Sequence, residues 1–285
     1  MRRERISEDI HIFTSELYAH VTATVIFTDE GAIVIDTLPF PEESRTMAEF
    51  VYSHSRRGVR FVINTHFHAD HVYGNYLFRD AVIIAHRRCR QKLLEIGERS
   101  LQAAKEETPA LAEVELVIPN IVFDHEMGLR LGHRLLRLIH LPGHTEDGIG
   151  VLVEGDRILV SGDAVMPLPY FAWGDRLQLR HTLQRIREMN LESIIQGHGD
   201  VLLRGEIPEV LDRHIHYLDC IKEYVAELVD QGQPRTALKH SIPESCGESS
   251  IPLDGLVRQL HYANLLRLYE DMTDKGSIEA ILASA

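Results

Sequence analysis

Residues 66–71 read His-Phe-His-Ala-Asp-His, and this H-x-H-x-D-H run constrains the chain most, because six residues supply four potential metal ligands at one spot. A lone histidine is usually a satisfied polar residue; four candidates this close predict a metal site. The run follows Arg60–Asn64, a short β-branched and aromatic segment that reads as a buried strand, and Gly74 and Asn75 come soon after it. The cluster is therefore expected on a strand-to-helix loop. Two residues apart at a strand end, His66 and His68 point the same way and can reach one ion. Asp70 and His71, where the chain turns into a helix, can be directed to a neighbouring position, which suggests a second ion.

Three further signals lie downstream: Pro142-Gly143-His144-Thr145, Ser161-Gly162-Asp163-Ala164 and Gly197-His198-Gly199. Each follows an apolar run that reads as a strand, at Arg137–Leu141, Arg157–Val160 and Ser193–Ile195. Glycine beside a ligand suits a loop that turns sharply and lets backbone approach an ion. Singly, such triplets are ordinary turn chemistry; the four signals together point to one centre.

His66, His68, Asp70, His71, His144, Asp163 and His198, in this order and spacing, make residues 8 to 230 resemble the metallo-beta-lactamase superfamily of hydrolases. The resemblance implies that His66, His68 and His144 hold one metal, that Asp70, His71 and His198 hold a second, and that Asp163 bridges them. It also implies that Asp36, in Ala32–Thr37, supports a metal-bound histidine from behind, although Leu38 stands where the related motif has glycine. The implied fold is α/β, a four-layer αββα sandwich with the ligands at one edge, spanning residues 1–231. A helical C-terminal extension over 232–285 is expected to pack on it or help to close the substrate cleft.

Two divalent ions about 3.5 to 4 Å apart can share a water and bring its pKa down towards about 7. The expected activity is a binuclear metal-dependent hydrolase of a carboxylic ester, lactone, thioester or related acyl bond, with a metal-bridging hydroxide as nucleophile. Asp70 is also placed to accept a proton from that water. Tyr170 could hydrogen-bond a substrate carbonyl or simply wall the pocket, and Tyr73 is expected to pack under the loop. Zinc, iron and manganese all suit this donor set. An iron-dependent sulfur or oxygen redox enzyme of the same fold, similar to persulfide dioxygenases, is the alternative. β-Lactam hydrolysis is at most a minor activity, because the best-known antibiotic-hydrolysing branch has cysteine at the Asp163 position. The ligand set is similar to that of glyoxalase II, without an evident basic signature for glutathione.

Thirty basic against 43 acidic residues leave a formal charge of −13, which disfavours nucleic acid as a partner and leaves a small molecule as the expected one. No apolar stretch of membrane-spanning length occurs, and the charged start of the chain leads into no signal-like core, so a cytoplasmic location with no membrane contact is expected. Cys89, Cys220 and Cys246 lie far apart, and no disulfide framework is predicted.

Strands are expected at Ile10–Phe13, Val21–Thr28, Ala32–Thr37, Ala81–Ala85, Val114–Phe123, Leu129–Leu131, Arg134–Leu141, Ile149–Glu154 and Arg157–Ser161, with helices over Pro41–Ser55 and Arg87–Glu107. From Pro208 to Val229, Val210, Leu211, Ile215, Leu218, Ile221, Val225 and Leu228 recur at helical spacing and predict one buried face. A last amphipathic helix is expected near Leu253–Met272, open to either packing on the sandwich or homodimer contact.

Overall fold

The computed structural model describes residues 1–283, and side chains as far as residue 273. Strands β1 (Arg2–Arg5), β2 (Ile10–Thr14), β3 (Thr22–Thr28), β4 (Gly31–Ile35), β5 (Val59–Ile63), β6 (Val82–His86) and β7 (Ile121–Phe123) form one sheet in sequence order. It is antiparallel up to β4 and parallel beyond. The second sheet has the order β13-β12-β11-β10-β9-β8, from β8 (Glu126–Leu131), β9 (Arg134–His140), β10 (Ile149–Val153), β11 (Ile158–Gly162), β12 (Ser193–Gln196) and β13 (Leu202–Leu203).

Two-residue periodicity assembles the layers. In β4, Ile33 and Ile35 face the second sheet, where they meet Leu136, Leu138 and Val151, while Ala32 and Val34 face outward onto Met47 and Val51 of α1 (Pro41–His54). In β11, Ile158 and Val160 point inward, and Leu159 points outward under the C-terminal helices. Those helices are α5 (Arg176–Glu188), α6 (Ile207–Asp230) and α7 (Leu256–Ala283). The remaining helices, α2 (Ala69–Val72), α3 (Arg87–Lys92) and α4 (Glu98–Glu107), flank the ligand loop, and α3 passes into α4 through a π turn at Leu93–Gly97. Two mixed sheets between helical layers give the αββα sandwich.

Several local expectations need correction. Val114–Phe123 is a strand only over its last three residues, because Asn120 accepts from Ile83 N–H with its side chain and ends the ladder there. β5 ends at Ile63, so His66 and His68 lie beyond the strand, and loop hydrogen bonds rather than strand alternation aim them. β1 and α5 add elements the pattern did not announce. Cys220 and Cys246 form a disulfide, Cα atoms 5.7 Å apart, because the turn before α7 folds back along α6; only Cys89 remains free among the described residues. The reading of the cysteines as forming no disulfide framework is corrected by this one bridge, a bond of a kind rare in reducing compartments. No helix among the described residues is long and apolar enough to cross a membrane. Of the expected extension over 232–285, residues 284 and 285 lie outside the described residues.

Leu138 is fully buried between the sheets. Leu138→Ala is expected to cost about 2 to 5 kcal/mol, the usual range for a leucine deletion that leaves a cavity, read as a lowered urea midpoint with an unchanged slope.

Candidate metal centre

All the predicted ligands come from segments that leave the ends of strands at one edge of the sandwich. His66, His68, Asp70 and His71 follow β5, His144 sits between β9 and β10, Asp163 follows β11, and His198 follows β12. The two sheets are tied together there: Ile149 N–H donates to the Thr65 carbonyl, Thr22 N–H donates to the Gly197 carbonyl, and Val21 bridges His198.

Donor atoms of His66, His68, His144 and Asp163 lie within 4.8 Å of one another, as do those of Asp70, His71 and His198. The His68 Nδ1 is 2.9 Å from His66 Nε2 and 3.0 Å from His144 Nε2. Asp163 reaches both sets: Oδ2 is 3.3 Å from His144 Nε2 and 3.4 Å from His198 Nε2, and Oδ1 is 3.3 Å from His71 Nε2. His71 Nε2 and Asp163 Oδ1 are buried and face each other without a directed hydrogen bond. Two such orphaned atoms are what a shared cation satisfies, so the residues fit divalent metal.

Four imidazoles have their Nδ1 engaged, leaving Nε2 for the centre. His71 Nδ1 is 2.8 Å from Asp36 Oδ2, His66 Nδ1 is 3.0 Å from Thr65 Oγ1, and His144 and His198 Nδ1 are each 2.8 Å from a carbonyl, of Tyr170 and Ala19. These contacts fix ring tautomer and orientation. Asp36 also accepts from Thr65 N–H and its hydroxyl. The turn that aims it survives the loss of glycine: Leu38 adopts φ +63° and buries its side chain under α1. Gly197 is needed on contact grounds, since a β-carbon there would overlap Asp163 Oδ1.

Burial and neighbouring charge compete across the cluster. Burial drives His66 far down and His68 to about 3. For His71 and His198 burial also lowers, yet the surrounding carboxylates, Asp163 foremost, overcome it, raising His71 well up and His198 to about 10. Asp70 is held well below the carboxylate range: burial opposes this, but His71 and His198 outweigh it.

A cavity of about 370 Å³ opens over these residues. Tyr170 and Tyr73 both line it, Tyr73 nearly buried. Tyr170 meets the cluster through its backbone, whose carbonyl takes the His144 proton. Sequence patterns gave no sign of Asn264 on α7. Its side chain accepts from Phe171 N–H at 3.0 Å and donates to the Pro169 carbonyl at 2.7 Å, bracketing Tyr170. Tyr18 was likewise unannounced; it lines the cavity, and its phenol is pushed up to about 12, first by Asp70 and then by burial.

Comparison with known proteins places the arrangement among hydrolases. A family model described as the metallo-beta-lactamase superfamily matches residues 19–198. A probable metallo-hydrolase of Methanocaldococcus jannaschii is 28% identical over 201 residues, 65% of this chain and 90% of that protein. The human acyl-coenzyme A thioesterase MBLAC2 is 26% identical over 199 residues, 59% of this chain and 69% of that protein. A crystal structure of a metallo-beta-lactamase family protein from Thermus thermophilus superposes with a TM-score of 0.70 over 95% of both chains at 15% identity, a likeness of fold.

Asp36→Asn is expected to weaken metal binding at the His71 set about tenfold or more, and Asn264→Ala to weaken it at the His144 set, both read by metal titration of the apoprotein. With raised pKa values, His71 and His198 keep their protons at pH 7 until a metal displaces them. Affinity should therefore rise with pH through neutrality, with protons released on binding; calorimetric heats that do not depend on the buffer would contradict this.

Proposed function

Because this chain belongs to the metallo-beta-lactamase superfamily, we propose that this metal-dependent hydrolase is binuclear and cleaves a carboxylic ester, lactone, thioester or related acyl bond. The observation that carries the reading is Asp163, whose two oxygens stand within 3.4 Å of imidazoles from both ligand sets. His66, His68 and His144 would hold one ion through Nε2, Nδ1 and Nε2; Asp70, His71 and His198 would hold the other, with Asp163 common to both. When bound, divalent ions supply Lewis acidity that acidifies water and polarises an acyl carbonyl.

The chain's own groups do the rest. Asp70, at the cluster's solvent-facing side among the cavity-lining residues, accepts a hydrogen bond from the attacking water and orients it. Burial keeps the Tyr170 phenol protonated, so it can donate to the substrate carbonyl from the cavity wall. The thioesterase activity in the name of the human relative is one member of the acyl class that this arrangement suits.

A panel of esters, lactones and thioesters, assayed with metal counted per chain, tests the proposal. Two metal equivalents, turnover abolished by a chelator, and a loss of about two orders of magnitude or more in kcat/KM for His68→Ala are expected. Full activity in His68→Ala, or saturation at one ion, contradicts it.

A further inference from the structure

The cavity above the cluster is chemically lopsided. Its floor carries the ligand side chains, whereas its walls are mainly apolar: Leu93 and Ile96 from the π turn, Leu116 ahead of β7, Leu256 and Leu260 from the first turns of α7, and Trp173. The polar exceptions, Tyr18, Tyr73, Tyr170 and Ser100, are uncharged. No lysine or arginine among the described residues lines it. Cations on the flanking elements are already paired. Arg267 on α7 pairs with Asp271 and donates to the Ala172 carbonyl. Arg88 and Lys92 line the adjoining cavity, where Glu146 and Glu95 pair with them. An anionic group at the far end of a substrate would thus lose its hydration without gaining a counter-charge, in a chain already carrying −13. Trp173, 61% exposed, continues the apolar lining of the cavity outward beside Phe67.

We propose that the acyl half of the substrate is an uncharged hydrocarbon chain, which runs from the cluster between the Leu93–Leu116 wall and α7. This deepens the acyl-hydrolase reading above and depends on it. In the reaction, water oxygen forms the new bond to the acyl carbon, the bond to the leaving oxygen or sulfur breaks, and the leaving group takes up the proton. The products are a fatty carboxylic acid and an alcohol or thiol. A cavity of about 370 Å³ lies within the roughly 300 to 1,000 Å³ of small-molecule sites. α7 is thereby a specificity element: Leu256 and Leu260 form one of the two walls that grip the chain.

The test is a series of p-nitrophenyl esters with acetyl, butanoyl, hexanoyl and octanoyl groups on the metal-loaded protein, together with a hexanoyl ester bearing a terminal carboxylate. Each buried methylene should raise kcat/KM about threefold, most of what full burial provides, so hexanoyl should exceed acetyl at least tenfold. The terminal carboxylate should erase that gain. Leu260→Lys should lower the hexanoyl-to-carboxyhexanoyl ratio at least tenfold, and Leu116→Lys on the opposite wall gives the same readout if the α7 variant does not fold. A flat or falling series, or a preference for the carboxylated chain, overturns this inference and leaves the hydrolase reading standing. Absence of turnover with every ester of this series and with every lactone and thioester of the panel above overturns both.

Discussion

Seven ionisable side chains brought within a few ångströms of one another in a dry edge of the protein are the costliest feature of this fold. Asp163 lies within 3.4 Å of three imidazoles and 3.8 Å from a fourth, a grouping that a balance of opposite charges makes tolerable. The balance is visible in the titration: burial alone would neutralise every histidine, yet His71 and His198 are pushed the other way by the carboxylates facing them. The two sheets hold the group together through their large buried core.

What held the ligands in place was partly readable in the sequence. The H-x-H-x-D-H run, the Gly-His-Thr, Gly-Asp and Gly-His-Gly segments and Asp36 stood beside apolar runs whose alternation survives in the sheets, and all of them meet at one edge. The Nδ1 partners were less readable. Two are backbone carbonyls, of Ala19 and Tyr170, and a carbonyl has no signature in the sequence. Asn264 acts from 93 residues beyond its partner Phe171, a contact set by how α7 crosses the loop and by no local spacing. The disulfide was hidden likewise, because Cys220 and Cys246 become neighbours only once the chain turns back along α6.

Elements escaped for reasons of pattern. α5 buries only Leu179, Thr182, Leu183 and Ile186 while carrying arginines on its other faces, so its stripe is too narrow to stand out; Asp175, which caps it by accepting from Gln178 N–H, was the one local clue. β1 is four exposed residues held by main-chain pairing with β2 and by Arg3 over Phe50, and period-two alternation has nothing to register there. Leu38 shows the opposite case, a local rule broken by packing: a left-handed residue costs about 1 kcal/mol without glycine, but a leucine in that position fills space beneath α1 that glycine would leave empty.

The same helix that walls the cavity also braces the metal centre. Asn264 is one turn beyond Leu260 on α7, and residues one turn apart share a face; here that face meets both the cavity and the loop 167–173. Tyr170 lies between the two backbone groups that Asn264 grips, its carbonyl holds His144, and its ring lines the cavity. A displacement of α7 by a poorly fitting acyl chain would therefore move the support of a ligand along with the wall. Strand ends set where the candidate ligands gather, and the helix added outside the sandwich lines the cavity above them and holds the loop behind His144. On the proposed acyl-chain reading, substrate choice and metal-site rigidity share one element, so exchanging the wall residues for other specificities should work only while Asn264 keeps its grip on the loop.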